Sequence, residues 1–396
     1  MTRDFETGRQ APVIAGPGCL DRLPALRQQH AADSYLIVSD GGLAATGLVE
    51  ALSTTLGNDA PVSQFIAPAG EPTIATVDAA AGQARRLAAP LVVGLGGGTA
   101  LDIAKLVAGL AKSPGPMEDY LLARNPWSGR APSVMVPTTS GTGSEVTRTS
   151  ILADEQDRKL WAWGDELLPD AVLLDPELTR SLPAPITVAT GLDAFVHALE
   201  AATGQGRNHF IEAPALQAIR LVGQSLEGAV TTPDDLAARQ QMQEAACLAG
   251  MAIDNGGTGI AHNIGHALGT LYHLPHGVAV ALAVEASLPW SVQGHDAIFT
   301  PAAHALSPGS QGQDLPALFT ALADATRFNQ ALAPFRDVRM DAETLAAVMQ
   351  AEENAPMANN AARRPTASDW LPLAEATVAV FDARLMASIA PQEVSA

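Results

Sequence analysis

The sequence predicts an α/β protein: an N-terminal domain with a mostly parallel sheet, followed by an all-α C-terminal domain. Three observations predict it. In the N-terminal part, short apolar runs alternate with stretches of helical spacing, the order that builds a parallel sheet with helices on both faces. Past the proline pair in Ser181-Leu182-Pro183-Ala184-Pro185 no convincing strand follows, and apolar residues recur every three or four positions. The chain has 396 residues, 47% hydrophobic and only 4% aromatic. That is long enough for two domains and aliphatic enough to favour helix packing. The prolines put the boundary between residues 1–183 and 184–396.

The elements follow in order. Tyr35–Asp40 reads as a strand ending in a turn, Val62–Pro68 as a second, Leu91–Gly94 as a short buried one, and Val134–Pro137 and Ala171–Asp175 as two more. Thr76–Leu87 and Leu101–Leu110 have helical spacing between them. In the second half, Leu192–Ala202, Pro214–Ala229, Leu236–Ala252, Ile260–Leu271, Leu315–Ala325 and Thr344–Glu353 carry apolar residues at helical period. In such arrangements ligands tend to bind beyond the carboxyl ends of the strands or between domains.

A formal net charge of −19 repels phosphate backbones and anionic bilayers, so neither nucleic acid nor membrane is an expected partner. Cys19 and Cys247 are too few and too far apart for a disulfide framework or a CxxC metal knuckle. No run approaches the ~18 apolar residues of a membrane span. Met1 to Pro12 is polar and charged, unlike a signal peptide. A cytoplasmic protein is expected.

After the strand at Leu91 comes Leu95-Gly96-Gly97-Gly98-Thr99, then a helix holding Asp102 and Lys105. Such glycines let backbone approach a pyrophosphate, and the helix N-terminus aims N–H groups at it. The spacing is neither a Walker A loop nor a full GxGxxG, since Thr99 stands at the third glycine. Alone it also fits a tight strand-to-helix turn. A second loop, Thr138-Thr139-Ser140-Gly141-Thr142-Gly143-Ser144-Glu145, follows the strand at Val134. Its hydroxyls suit an anion or a ribose–phosphate. Asp40, ending its strand, can accept from a ribose diol and would repel a 2′-phosphate, which predicts NAD over NADP. The N-terminal part is thus a candidate dinucleotide-binding domain.

Asp193 and His197 stand four residues apart, on one face of a helix. His262 and His266 repeat that spacing, and His276 follows soon after. Imidazole and carboxylate together suit Fe²⁺ or Zn²⁺. Spacing alone pairs His262 with His266. Both pairs lie in apolar helices, where an unpaired carboxylate is costly and a shared cation removes the cost.

These residues resemble the iron-containing alcohol dehydrogenase family, of dehydroquinate synthase-like architecture. The likeness runs in family order over Gly96 to Thr99 with Asp102 and Lys105, Thr138 to Glu145, Pro169-Asp170 to Asp175-Pro176, Ala189 to His197 with Glu200, Gly259 to His266, and Pro275-His276-Gly277. The resemblance implies a metal held by Asp193, His197, His262 and His276. It gives His266 a catalytic place beside the ion, tied to proton movement. It implies cofactor contacts at Asp40, Gly97, Gly98, Thr138, Thr139, Thr147, Lys159 and Leu178, to which the two loops add Thr99, Asp102, Thr142 and Ser144. The expected activity is hydride transfer between NAD and a small primary alcohol or aldehyde whose oxygen sits on Fe²⁺, or on Zn²⁺ or another divalent ion. A homodimer or higher homo-oligomer is expected.

Glycerol dehydrogenase-like and maleylacetate reductase-like enzymes are rival readings within the superfamily. The full ligand set argues against the latter. A dehydroquinate synthase-like lyase would want more cations than the 23 Lys and Arg present. Trp161, Trp163, Phe195, His209, His273 and Arg207 are candidates for lining the substrate pocket, and Arg148 and Arg207 for pairing with an anionic group on the substrate. The sequence departs from the family pattern at Gly70-Glu71-Pro72, across Thr203–Glu212 and around Asn359-Asn360 and Arg363-Arg364, and substrate choice is expected to differ there.

Overall fold

The computed structural model describes residues 4–154 and 158–389. The chain divides into two compact units, Met1–Arg180 and Ser181–Ala396.

The first unit holds β1 (Val13–Ala15), β2 (Ser34–Asp40), β3 (Val62–Ala67), β4 (Pro90–Gly96), β5 (Ser133–Pro137), β6 (Thr149–Ala153), β7 (Lys159–Trp163) and β8 (Ala171–Leu174). Six strands form one sheet in the order β1-β8-β5-β4-β2-β3, and every pairing in it is parallel. Its helices are α1 (Leu23–Gln29), α2 (Gly41–Ala44), α3 (Leu48–Leu56), α4 (Ile74–Arg86) and α5 (Gly98–Leu110). Because both faces of the sheet are covered, β2 reads as a continuous apolar run rather than an alternation. The two-residue period still sorts the side chains. Leu36 and Val38 pack with Val77 of α4 and Ile103 of α5, while Tyr35 and Ile37 pack with Leu23 of α1 and Leu52 of α3.

From β2 the chain passes to β3 at the sheet edge, then crosses back to β4 and onward to β5 and β8. Strand order therefore reverses between β2 and β4. The carboxyl ends of those two strands, Asp40 and Gly96, flank the crevice where such sheets bind ligands.

Two features had no clear sequence signal. The edge strand β1 is three residues long. The antiparallel pair β6 and β7 is a short ribbon whose Trp161 and Trp163 face outward while Ala162 is buried.

The second unit is helical. It contains α6 (Ala184–Thr203), α7 (His209–Thr231), α8 (Leu236–Gly256), α9 (Ile260–Tyr272), α10 (His276–Val292), α11 (Asp296–Leu306), α12 (Leu315–Ala325), α13 (Ala342–Met349), α14 (Ala355–Asn360) and α15 (Trp370–Ile389), and no strand among the described residues. Helix α6 starts earlier than the apolar period suggests, with Pro185 in its first turn, where a missing N–H costs nothing. Asp235 caps α8 by accepting from the N–H groups of Ala237 and Ala238. The expected helix Thr344–Glu353 stops at Met349 and resumes as a short 3-10 turn. Helix α10 escaped detection because its Val278–Val284 run is buried on all sides, which erases the amphipathic stripe.

Candidate metal centre

Three helices of the second unit supply four side chains to one point. Asp193 and His197 lie one turn apart in the middle of α6, His262 in the first turn of α9, and His276 opens α10. One ligand atom from each lies within 4.8 Å of every other. The helices come this close because glycines stand at their contacts. A Cβ on Gly265 of α9 would lie 2.6 Å from Val280 Cγ1 of α10, and one on Gly277 of α10 would lie 2.4 Å from the Ala189 carbonyl oxygen of α6.

Asp193, His197 and His262 are buried, whereas the His276 side chain is 31% exposed and marks the side open to solvent. Asp193 Oδ1 stands 3.6 Å from His197 Nε2 and 3.5 Å from His276 Nε2. Neither distance brings a hydrogen bond: Asp193 Oδ1 and His262 Nε2 are buried without a hydrogen-bond partner. Buried polar atoms are ordinarily satisfied. Groups about 2.1 Å from a shared ion stand about 3.0–3.4 Å apart, close to the spacing seen. One carboxylate and three imidazoles form a donor set for Fe²⁺ or Zn²⁺. The residues present therefore fit a divalent cation.

The His262 ring is held from behind. Its Nδ1 lies 2.6 Å from Glu200 Oε2. The Glu200 carboxylate also accepts from the backbone N–H groups of Gly259 and Ala261, each at 2.6 Å. The helix α9 N-terminus has no side-chain cap of its own, so Glu200 satisfies two of its free donors. A carboxylate on Nδ1 fixes the tautomer and leaves the Nε2 lone pair facing the cluster. Sequence reasoning gave Glu200 no role. Its signal was a carboxylate three residues past His197 on an apolar helix.

The structure brings His276, not His266, to the other three, which corrects the pairing that spacing suggests. His266 lies beside the group, its ring centroid 6.3 Å from that of His262 and 5.8 Å from that of His276. Phe195 is no pocket residue: it is wholly buried and packs on Phe319. His273 is exposed and ends α9 in a left-handed conformation. Trp163 lies under the Arg148 guanidinium, 5.2 Å from ring to cation.

In the α/β unit the two sequence-predicted loops meet. Gly96 has φ 152°, and a Cβ there would lie 2.7 Å from Ala100 Cβ and 3.0 Å from Asp40 Oδ2. Asp40 is thus seated against the glycine loop, with Oδ1 accepting from Leu43 N–H. A Cβ on Gly97 would meet Thr139, and one on Gly98 would meet Thr142 at 2.9 Å. Thr138 donates its N–H to the Gly96 carbonyl, and Thr99 Oγ1 donates to Gly70 O. Gly94 serves packing instead, admitting Ala104 of α5 against β4.

Behind the loops, Lys105 is fully buried, its Nζ donating to the carbonyls of Ser144, Thr147 and Thr149 and to Thr147 Oγ1. It also lies 3.2 Å from Asp102. Asp102 accepts from Ser144 Oγ and Ile151 N–H. Asp102, Ser144 and Thr147 thus brace the second loop through Lys105. Burial pushes the neighbouring Glu145 carboxyl up to about 7, with Lys105 pulling the other way. Lys159 pairs with Glu71 at 2.8 Å, and Leu178 packs partly buried on the sheet.

The family model for iron-containing alcohol dehydrogenase matches residues 11–176, and that for the Fe-containing alcohol dehydrogenase family, C-terminal, matches residues 187–377. The chain is 39% identical over 274 residues to the 1-propanol dehydrogenase PduQ of Citrobacter freundii, covering 69% of this chain and 70% of that one. It is 35% identical over 299 residues to the sulfoacetaldehyde reductase of Bilophila wadsworthia, 74% and 75% of the respective chains. Among solved structures it superposes on a 1,3-propanediol oxidoreductase with TM-score 0.85 at 28% identity, over 96% of this chain and 100% of the other. With both halves matched in order and one Asp–His–His–His group gathered in the second, this chain belongs to the iron-containing alcohol dehydrogenase family of oxidoreductases.

Proposed function

We propose that this protein transfers hydride between NAD and a small primary alcohol or aldehyde, with a divalent cation held by Asp193, His197, His262 and His276. The observation that carries the reading is the convergence of those four side chains with two buried, unsatisfied ligand atoms among them. Such an ion supplies Lewis-acid polarisation of an alcohol or carbonyl oxygen, the effect that takes water from 15.7 to about 7. NAD supplies the hydride acceptor.

The chain's own groups do the rest. Asp193 offsets part of the cation's charge, so the centre is less electrophilic than one of imidazoles alone. Glu200 keeps the His262 proton on Nδ1. His266, beside the four, takes the hydroxyl proton on a ring nitrogen. Asp40 accepts from the adenosine ribose and disfavours a 2′-phosphate. Gly97, Gly98 and Thr99, at the start of the 13-residue α5, and Thr138, Thr139 and Thr142 opposite them, receive the pyrophosphate. Asp102, Ser144 and Thr147 hold that loop in shape, and Lys159 and Leu178 flank the nucleotide. The protein works in the cytoplasm as a homodimer or larger homo-oligomer, as the family resemblance implies. No helix among the described residues is long and apolar enough to cross a membrane.

The test is an NADH-absorbance screen of anionic and neutral alcohols and aldehydes on Fe²⁺-loaded protein, before and after exhaustive chelation. Turnover should vanish with the metal and return with Fe²⁺ or Zn²⁺. Undiminished turnover in metal-free protein would overturn the reading.

A further inference from the structure

We infer that Asn360, at the end of α14, is a positioning residue that sets the geometry of the metal centre from outside it; this rests on the metal reading proposed above. Residues 257–259 join α8 to α9 and end at Gly259, whose N–H is bonded to Glu200. That loop is gripped by the Asn360 amide, with Nδ2 donating to the carbonyls of Gly256 and Thr258, each at 2.9 Å. The Gln205 N–H, just beyond the α6 end, donates to the Asn360 main-chain oxygen at 2.9 Å and to Oδ1 at 3.2 Å. Asn360 therefore ties the loop before α9, through its side chain, to the end of α6, through side chain and backbone. Those helices carry three of the four ligands.

The amide orientation follows from its partners, because two carbonyls require the NH₂ and a backbone N–H requires the oxygen. Two glycines make room for it. A Cβ on Gly204 would lie 3.0 Å from Asn360 Nδ2, and one on Gly257, at φ +67°, would lie 3.2 Å from the same atom. The residues that follow Asn360 also matter. Ala361 and Ala362 line a cavity of about 30 Å³ together with Glu200, Gly259 and Ala261. Gln205 Nε2 holds the carbonyls of both alanines. The path from Asn360 to the ligand runs through the Gly256 and Thr258 carbonyls, the Gly259 N–H, the Glu200 carboxylate and His262 Nδ1. Loss of the grip lets Gly259 shift, and Glu200 and the His262 ring shift with it. Outer partners of metal ligands commonly change affinity by about 10–100-fold.

The experiment titrates Co²⁺ into the apo-forms of the full-length wild type, Asn360→Ala and Asn360→Asp, reading the visible d–d absorption, with the apo thermal midpoint in parallel. Asn360→Asp is isosteric, keeps the acceptor for Gln205 and loses only the donors. Its added negative charge would attract the cation, so weaker binding isolates geometry. The expected result is a Co²⁺ Kd raised about tenfold in both variants, with an altered band shape. Wild-type Kd and spectrum in Asn360→Asp overturn the inference, as does a lowered thermal midpoint with unchanged Kd. Absence of Co²⁺ binding by the wild type overturns the metal reading itself, and this inference with it.

Discussion

The proposed nucleotide crevice of the α/β unit and the candidate metal centre of the helical unit are built from different materials. The crevice is mostly backbone: a glycine run after β4, a hydroxyl-rich loop after β5, and the first turn of α5. Each piece is contiguous in the chain, and the Lys105 ammonium ties the end of the second loop down from beneath through Ser144, Thr147 and Thr149. The metal centre is all side chain. Its four groups come from three helices separated by up to 83 residues, and only glycine contacts and the Glu200 brace bring them into register. A backbone site tolerates loss of one side chain as long as its loop keeps its path. A side-chain site has no such redundancy.

The comparison breaks first, if anywhere, at His262. His262→Ala should strip the metal, measured by elemental analysis of the purified protein, and lower kcat/KM about a thousandfold or more. Retention of stoichiometric metal would put the ligand set in error. His266→Ala sharpens the same contrast from beside the centre. It should keep the metal and slow turnover about a hundredfold, the usual scale for a lost proton acceptor. Metal loss in that variant would make His266 a ligand instead.

In the crevice the effects should be gentler. Asp40→Ala removes one carboxylate from a site that still has its glycines and hydroxyls. It should raise the Kd for NADH about tenfold and narrow the preference over NADPH, both readable by nicotinamide fluorescence. Unchanged preference would detach Asp40 from the ribose.

The smallest effect concerns Glu145. Its folded-state pKa of about 7 lies above the ordinary glutamate value of 4.5, so the native state holds the extra proton between those values. Stability linked to this group is fully present below about pH 4.5, is lost as pH rises through about 7, and then levels off. Glu145→Gln should therefore gain in thermal midpoint over wild type as pH rises from 5 to 8. A gap that does not grow over that range would mean the carboxyl titrates normally.

Much of the crevice was legible in the sequence because its parts are local. Strand, glycine run and helix follow one another, and the physical reason for each lies within a few residues. The metal centre was legible in part. The Asp193 and His197 pair follows from the 3.6-residue period, but the same period pointed to His266 as the partner of His262. Nothing local shows that α10 folds back so that Gly277 seats on Ala189 and brings His276 in. Glu200 and Asn360 were further out of reach. Glu200 looks like any helix carboxylate until the α9 N-terminus arrives with its free N–H groups, and Asn360 lies about a hundred residues from the carbonyls it holds.

By itself, then, the amino-acid order determined the two-part α/β and helical plan, the two candidate nucleotide loops and the kinds of atom available to a cation. Those depend on periodicity, turn chemistry and residue type, which are properties of neighbours along the chain. Helical period alone left open which histidine completes the cluster; the family resemblance named His276, and tertiary packing brings it there, lets Glu200 orient His262 and sets where Asn360 takes hold. Those depend on distances between helices, and such distances exist only once buried faces and close glycine contacts have fixed them.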